Sequence, residues 1–210
     1  SYPFSRFLRA DFDASIFNVN QSWDYLPAAN VADENWVEDI FPKTKDTVYS
    51  PGFSLVHDNS LSGSTGPLAG WRAIYHIRKS FALEDLEYLT NYLDIRSYTL
   101  FSKRYSFAMR LNGAISTGKN PDRFSLGGYY GVRALDTNIS GEKKVLTSLE
   151  LRFPFFDNIN LIFPIPLGLQ NIRGSVFVDA GSVWDDNKDF RGIKDGKLQD
   201  IKLGYGFGPR

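Results

Sequence analysis

The 210-residue chain contains no cysteine. Neither a disulfide framework nor a thiolate metal site can be built from it. Histidine is nearly as scarce. His57 and His76 are the only two, too few for a histidine-rich metal or catalytic centre. Charge of one sign is also lacking: lysine plus arginine and aspartate plus glutamate stand at 24 each. No one-signed field is available to draw in nucleic acid. No apolar run reaches about 18 residues, so no membrane-spanning helix is expected. No signal peptide opens the chain. It starts at Ser1-Tyr2-Pro3, already close to a strand pattern, which points to a piece of a longer protein.

What the chain has is aromatic residues, 17 Phe and 11 Tyr among them, and alternation. Helical periodicity is nearly absent, whereas period-two patterning recurs throughout. Over 104–113 the odd positions read Tyr105, Phe107, Met109, Leu111 and Gly113, and the even ones include Arg104, Ser106 and Arg110. Over 145–153 Val145, Leu149 and Leu151 oppose Ser148, Glu150 and Arg152. Over 172–181 Val176 and Val178 oppose Phe177 and Asp179. Over 200–208 Leu203, Tyr205 and Phe207 oppose Gly204, Gly206 and Gly208. Weaker alternation covers 5–18, 48–58, 70–79 and 86–98, for about eight strands in all.

The links between them fall into two kinds. Residues 19–45, 116–142 and 185–198 are long and polar or glycine-rich, and 99–103 is tight. Residues 58–69 make a moderate turn of small residues, and 157–171 an intermediate link containing proline. Long and short links roughly alternate, with 80–85 the exception, as in transmembrane β-barrels.

Alternation alone fits two architectures. A soluble sandwich or ligand-binding barrel turns its apolar stripes inward. A membrane barrel turns them to lipid. Two features favour the membrane: the stripes have the length of a tilted span, and the polar stripes mix glycine and small residues with Arg, Asp and Glu.

Three motifs of chemistry fail on inspection. Gly113–Asn120, "GAISTGKN", nearly spells a phosphate loop, but Asn120 stands where Ser or Thr is needed, and Pro121 follows with no helix pattern. "DDNKDF", from Asp185, lacks the glycine and glutamate of a calcium loop. The glycines of "GYGFGP", Gly204 to Pro209, are spaced for one face of a strand rather than a dinucleotide turn. There is no G-x-S-x-G nucleophile elbow. No catalysis and no cofactor are expected.

The most specific stretch is "RFSLGGYYGVRALD", Arg123 to Asp136. Gly127, Gly128 and Gly131 permit turns and close packing, and Val132-Arg133 follow. If this loop folds into a barrel, Arg133 enters a confined interior and must be paired. Glu150 and Asp179, on the polar stripes of the next two strands, could share its planar fork. The alternative is a solvated arginine without fixed partners.

In order, "FSLGGYYGVRALD", "LTSLELRFPFF" and "IRGSVFVDAGSVWDD" resemble the C-terminal barrel of the bacterial surface antigen family, the BamA/TamA group. The opening "SYPFSRFLR" resembles a subgroup with a periplasmic β-propeller ahead of the barrel. The resemblance implies an all-β antiparallel segment of a sixteen-stranded outer-membrane barrel. Its sixth extracellular loop, about 116–142 here, folds into the lumen. A Val-Arg-Gly-aromatic tip would bind strand carboxylates, which maps to Val132, Arg133, Glu150 and Asp179. The chain departs at Ala134 and Leu135, where the family has glycine and an aromatic; alanine tolerates positive φ less well.

The implied role is insertion or translocation of other proteins in a Gram-negative outer membrane. Partners would be outer-membrane lipid, unfolded client proteins and periplasmic domains of the same protein, with no nucleic acid. The strands of the family's working seam are not expected in this chain. Alternatives are a barrel anchor or secretion conduit for a fused propeller or patatin-like lipase, and a soluble ligand-binding barrel.

Overall fold

The computed structural model describes residues 1–21, 44–63, 66–82, 86–102, 104–128, 130–135, 139–161, 164, 167–186, 190–194 and 197–209. Among these, every regular element is a strand. In chain order they are β1 (Tyr2–Pro3), β2 (Leu8–Gln21), β3 (Thr44–Asp58), β4 (Leu61–Gly63), β5 (Gly66–Phe81), β6 (Glu87–Ser102) and β7 (Tyr105–Lys119). Then come β8 (Phe124–Ser125), β9 (Ser140–Gly141), β10 (Lys143–Leu161), β11 (Leu167–Trp184), β12 (Ile193–Lys194), β13 (Lys197–Leu198) and β14 (Lys202–Pro209).

One antiparallel sheet runs β1-β2-β3-β5-β6-β7-β10-β11-β14. The long strands follow each other as a meander, because each alternating stretch pairs with the next along the chain. The two edges, at β1–β2 and β14, do not pair with each other. The sheet is a partial, open barrel wall.

Several expected boundaries move. The link expected at 157–171 is mostly strand: Asn158 pairs with Gln170 and Leu161 with Leu167. The register shifts between Pro154 and Phe156, and the ladder continues past it. A bulge is where a strand tolerates proline's missing N–H. The loop expected from 116 begins later, since Ser116 and Lys119 still pair with Thr90 and Glu87. Residues 58–69 hold a second hairpin, β4 against the start of β5. Gly70 permits it at φ 91°, where a Cβ would sit 2.5 Å from the Asn59 carbonyl oxygen. The link at 185–198 contains the paired β12 and β13, and its residues 187–189 and 195–196 lie outside the described part. So does most of the link at 19–45.

The register sorts the side chains into two unlike faces. Phe107, Met109, Leu149, Leu151, Val176, Val178, Tyr205 and Phe207 align across four strands and are exposed. The opposite face carries Ser106, Asn112, Ser116, Glu150, Arg152 and Asp179, all buried. Small and polar residues are covered while large apolar ones are bare, the reverse of a water-soluble sheet. Among the described residues a buried apolar cluster lies on the polar side, where Leu126 and Val132 of the 120–142 loop meet Leu146 of β10. Leu135, Ile139 and Val183 pack around it.

Candidate functional site

The 120–142 loop lies over the polar face and is tied down at several points. At its start Asp122 accepts from Arg78 Nη2 (2.9 Å) and from Thr90 Oγ1 (3.1 Å). Its backbone N–H donates to Ser116 Oγ at 2.9 Å. Lys144 Nζ donates to the Ser125 carbonyl at 2.7 Å. Leu126 is threaded between two loop segments, its N–H donating to Ile139 O and its carbonyl accepting from Val132 N. Gly131 makes that turn possible, since a Cβ there would meet the Leu126 carbonyl oxygen at 1.8 Å. Gly128 has φ 85° and open space around it. Gly127 bridges to Val132.

At the tip the structure brings together Arg133, Glu150 and Asp179. Arg133 Nε and Nη2 donate to Asp179 Oδ2 and Oδ1, both at 2.9 Å, and its backbone N–H adds a bond to Oδ2 at 3.0 Å. Arg133 Nη1 donates to Glu150 Oε2 at 2.9 Å. The guanidinium carbon stands 3.6 Å from the centroid of the Phe177 ring. Asp179 has no exposed surface, so its charge depends on this grip. Burial works against the Arg133 charge, but the hydrogen bonds and charges of Asp179 and Glu150 outweigh it and its pKa is raised.

The sheet prepares this position. Asp179 on β11 pairs with Ser148 on β10 and Gly204 on β14. A Cβ on Gly204 would meet Val132 Cγ1 at 2.8 Å and Ala134 Cβ at 3.0 Å. On Gly206 it would meet the Phe177 ring at 2.7 Å. The spaced glycines of "GYGFGP" thus form a smooth bed for the tip and the aromatic beneath it. Ala134 causes no backbone conflict. Among described non-glycine residues only Asn120 has a positive φ, 59°.

Sequence reading missed two charged groups beside the tip. Arg152 donates from Nε to Glu150 Oε1 at 2.8 Å and from Nη1 to the Pro67 carbonyl at 2.7 Å. Asp94 accepts from Arg96 Nε at 2.7 Å and from Arg110 Nη2 at 2.6 Å, and Arg110 Nη1 reaches the Tyr130 carbonyl at 3.1 Å. The available signal was a repeated local pattern, Asp94-Ile95-Arg96 and Glu150-Leu151-Arg152. Each sets an acid and an arginine side by side on one strand face.

The described residues of the other motifs lie in strands and turns. "GAISTGKN" is the end of β7 and a turn at Asn120, with no helix after it. His57 stacks on Trp71 with centroids 4.0 Å apart, and His76 Nδ1 lies 2.7 Å from Ser54 Oγ. Among the described residues no group of acids and histidines is placed to hold a metal ion.

An antiparallel meander with a bare apolar face and a polar face plugged by its own loop is a barrel wall of the outer-membrane type. Residues 42–210 match the model of the Omp85 superfamily domain, and the chain belongs to that superfamily. The fold is similar to the crystal structure of BamA from Haemophilus ducreyi lacking POTRA domains 1–3, with TM-score 0.64 and 18% identity. The match covers 99% of this chain and 47% of that one, so the chain spans about half its length. No curated protein matches.

Proposed function

We propose that this chain is one part of the wall of a larger, sixteen-stranded barrel in a Gram-negative outer membrane, and that the barrel helps insert or translocate other proteins. The carrying observation is where charge falls on the apolar face. Following the register across the long strands, the charged residues on that face whose side chains are described are Lys79, Glu87, Lys119 and Lys143. All lie at the end where the 120–142 loop emerges, and Lys79 pairs with Glu87 at 2.5 Å. Below them the face is uncharged and largely apolar, with Asn91 and Ser97 among its few polar residues, down to an aromatic border that includes Trp71 with His57, and Phe101 with Tyr105. From Lys79 to Trp71 a tilted strand rises roughly 20 Å at about 3.3 Å per residue, close to the ~25 Å apolar band of such barrels. A soluble barrel would bury this face.

On this reading the 120–142 loop is extracellular in origin and folds into the lumen. Arg133, Glu150 and Asp179 act as an internal brace, and Gly127, Gly128, Gly131 and Val132 shape its tip. Lipid contacts the apolar face; unfolded outer-membrane proteins and periplasmic domains of the same protein are the partners. Superfamily membership supports the assembly role.

Two measurements test the parts separately. Cysteines at positions 109 and 178 should resist a water-soluble maleimide in intact cells and in proteoliposomes; rapid labelling at both would overturn the membrane placement. Proteoliposomes holding the intact protein should speed the folding of a urea-denatured barrel client over empty vesicles. Equal rates would remove the assembly role and leave the wall intact.

A further inference from the structure

Beneath the loop tip the polar face holds a cavity of about 150 Å³, room for about five waters at ~30 Å³ each. The register creates it. Ala108 on β7 lies between Tyr98 on β6 and Glu150 on β10 in one cross-strand row. The neighbouring row carries Arg96, Arg110 and Ser148. Ala108 is short among long neighbours, so a hollow opens over it. Tyr130 and Arg133 of the loop line it from above.

Charge in this hollow does not balance. Arg96, Arg110, Arg133 and Arg152 all line it. The carboxylates they grip are Asp94, Glu150 and Asp179, three against four. The shortage is local: Arg96 and Arg110 share the single Asp94. Arg96 spends Nε and Nη2 on Asp94, and Arg152 spends Nε and Nη1 on Glu150 and Pro67. The side chains of Arg110 and Arg152 are only 18% and 6% exposed, so bulk water screens their charge poorly. A desolvated surplus cation is costly unless it finds a partner, and guanidinium forks match two-oxygen acceptors.

We propose that this cavity binds one small oxyanion from solution, the size of phosphate or acetate, between Arg96, Arg110 and Arg152. The anion supplies the missing negative charge. Through Arg110, which also holds the Tyr130 carbonyl, it would steady the loop tip. The site is made by the loop and strands β6, β7 and β10, and does not rest on the membrane reading.

The test is equilibrium dialysis of radiolabelled inorganic phosphate against the intact protein in detergent, at constant ionic strength. Binding should saturate near one phosphate per molecule, and acetate should compete. Arg96→Gln should weaken it at least tenfold. Ala108→Leu, which fills the hollow, should abolish it. Arg191→Gln, far along the sheet in the 185–201 link, should leave it unchanged. Unheated gel mobility reports whether each variant folds; if Ala108→Leu does not, Arg96→Gln decides. Unsaturable binding, or equal affinity in wild type and folded Arg96→Gln, would overturn the site.

Discussion

Arg152 of β10 donates a 2.7 Å hydrogen bond to the carbonyl of Pro67, although the two residues stand 85 positions apart. Strands β6 and β7 lie between their strands in the sheet. The β4–β5 hairpin must therefore reach across the polar face. The same guanidinium holds Glu150, which accepts from Arg133, which holds Asp179. Two segments entering from opposite ends of the wall are joined by one line of charge-assisted hydrogen bonds.

Removing Arg152 should therefore loosen both segments. Loss of one partner from a buried ion pair costs about 3–5 kcal/mol, and both Arg152 and Glu150 are buried. Arg152→Ala should lower the unfolding midpoint. It should also speed amide exchange at Leu68 in the hairpin and at Arg133 in the loop. Arg152→Lys keeps the charge but not the fork and should fall between. Faster exchange at Leu68 alone would show that the two segments are not coupled.

Arg133→Ala should be more damaging than Arg191→Ala. Arg133 makes bonds to two buried carboxylates, while Arg191 is exposed and its backbone N–H, not its side chain, bonds Asp200. Phe177→Leu should cost about 0.5–2 kcal/mol by removing the ring beneath the guanidinium. In the Arg133→Ala background that cost should largely vanish. Additive losses in chemical unfolding would mean the ring and the arginine act independently.

Glycine positions should separate sharply. Gly131→Ala places a carbon against the Leu126 carbonyl oxygen, and Gly204→Ala presses on Val132 and Ala134. Gly208 has nothing within 4 Å of an added Cβ. Limited trypsin digestion after Arg133 should be fast in the first two variants and slow, as in wild type, in Gly208→Ala. Slow cleavage of Gly131→Ala would show that the loop repacks without its tight turn.

The strand order was legible because alternation has the strand's own period; which face is bare was not, because alternation fits both arrangements, and only stripe length and the composition of the polar stripes favoured the inversion. Arg133 could be matched to Glu150 and Asp179 because a confined guanidinium needs acids, and the next two polar stripes carry them. The Asp94 group was not legible, since it depends on Arg96 lying directly opposite Arg110. Register across strands is set by pairing, which one strand's pattern does not encode. The reach of Pro67 to Arg152 depends on a hairpin folding inward at Gly70, where local composition signals only a turn. The link expected at 157–171 misled for a related reason: its polar and proline residues read as a turn, yet Asn158 and Leu161 still pair with Gln170 and Leu167.

The apolar face gives the most direct check of the membrane placement. Leu149 lies on it between Met109 and Val178, midway between Lys143 and the Phe153–Phe155 aromatic pair. An arginine near the bilayer midplane costs roughly 2–4 kcal/mol, and near the interface about 0–1. Leu149→Arg should therefore reduce the fraction that folds into vesicles, read by unheated gel mobility. Thr117→Arg, on the same face beside Lys119 at the loop end, should be nearly neutral. A soluble sheet with a wet outer face would tolerate both equally, since its solvent would hydrate the new charge at either depth. Equal folding of the two variants in vesicles would sink the lipid-facing assignment.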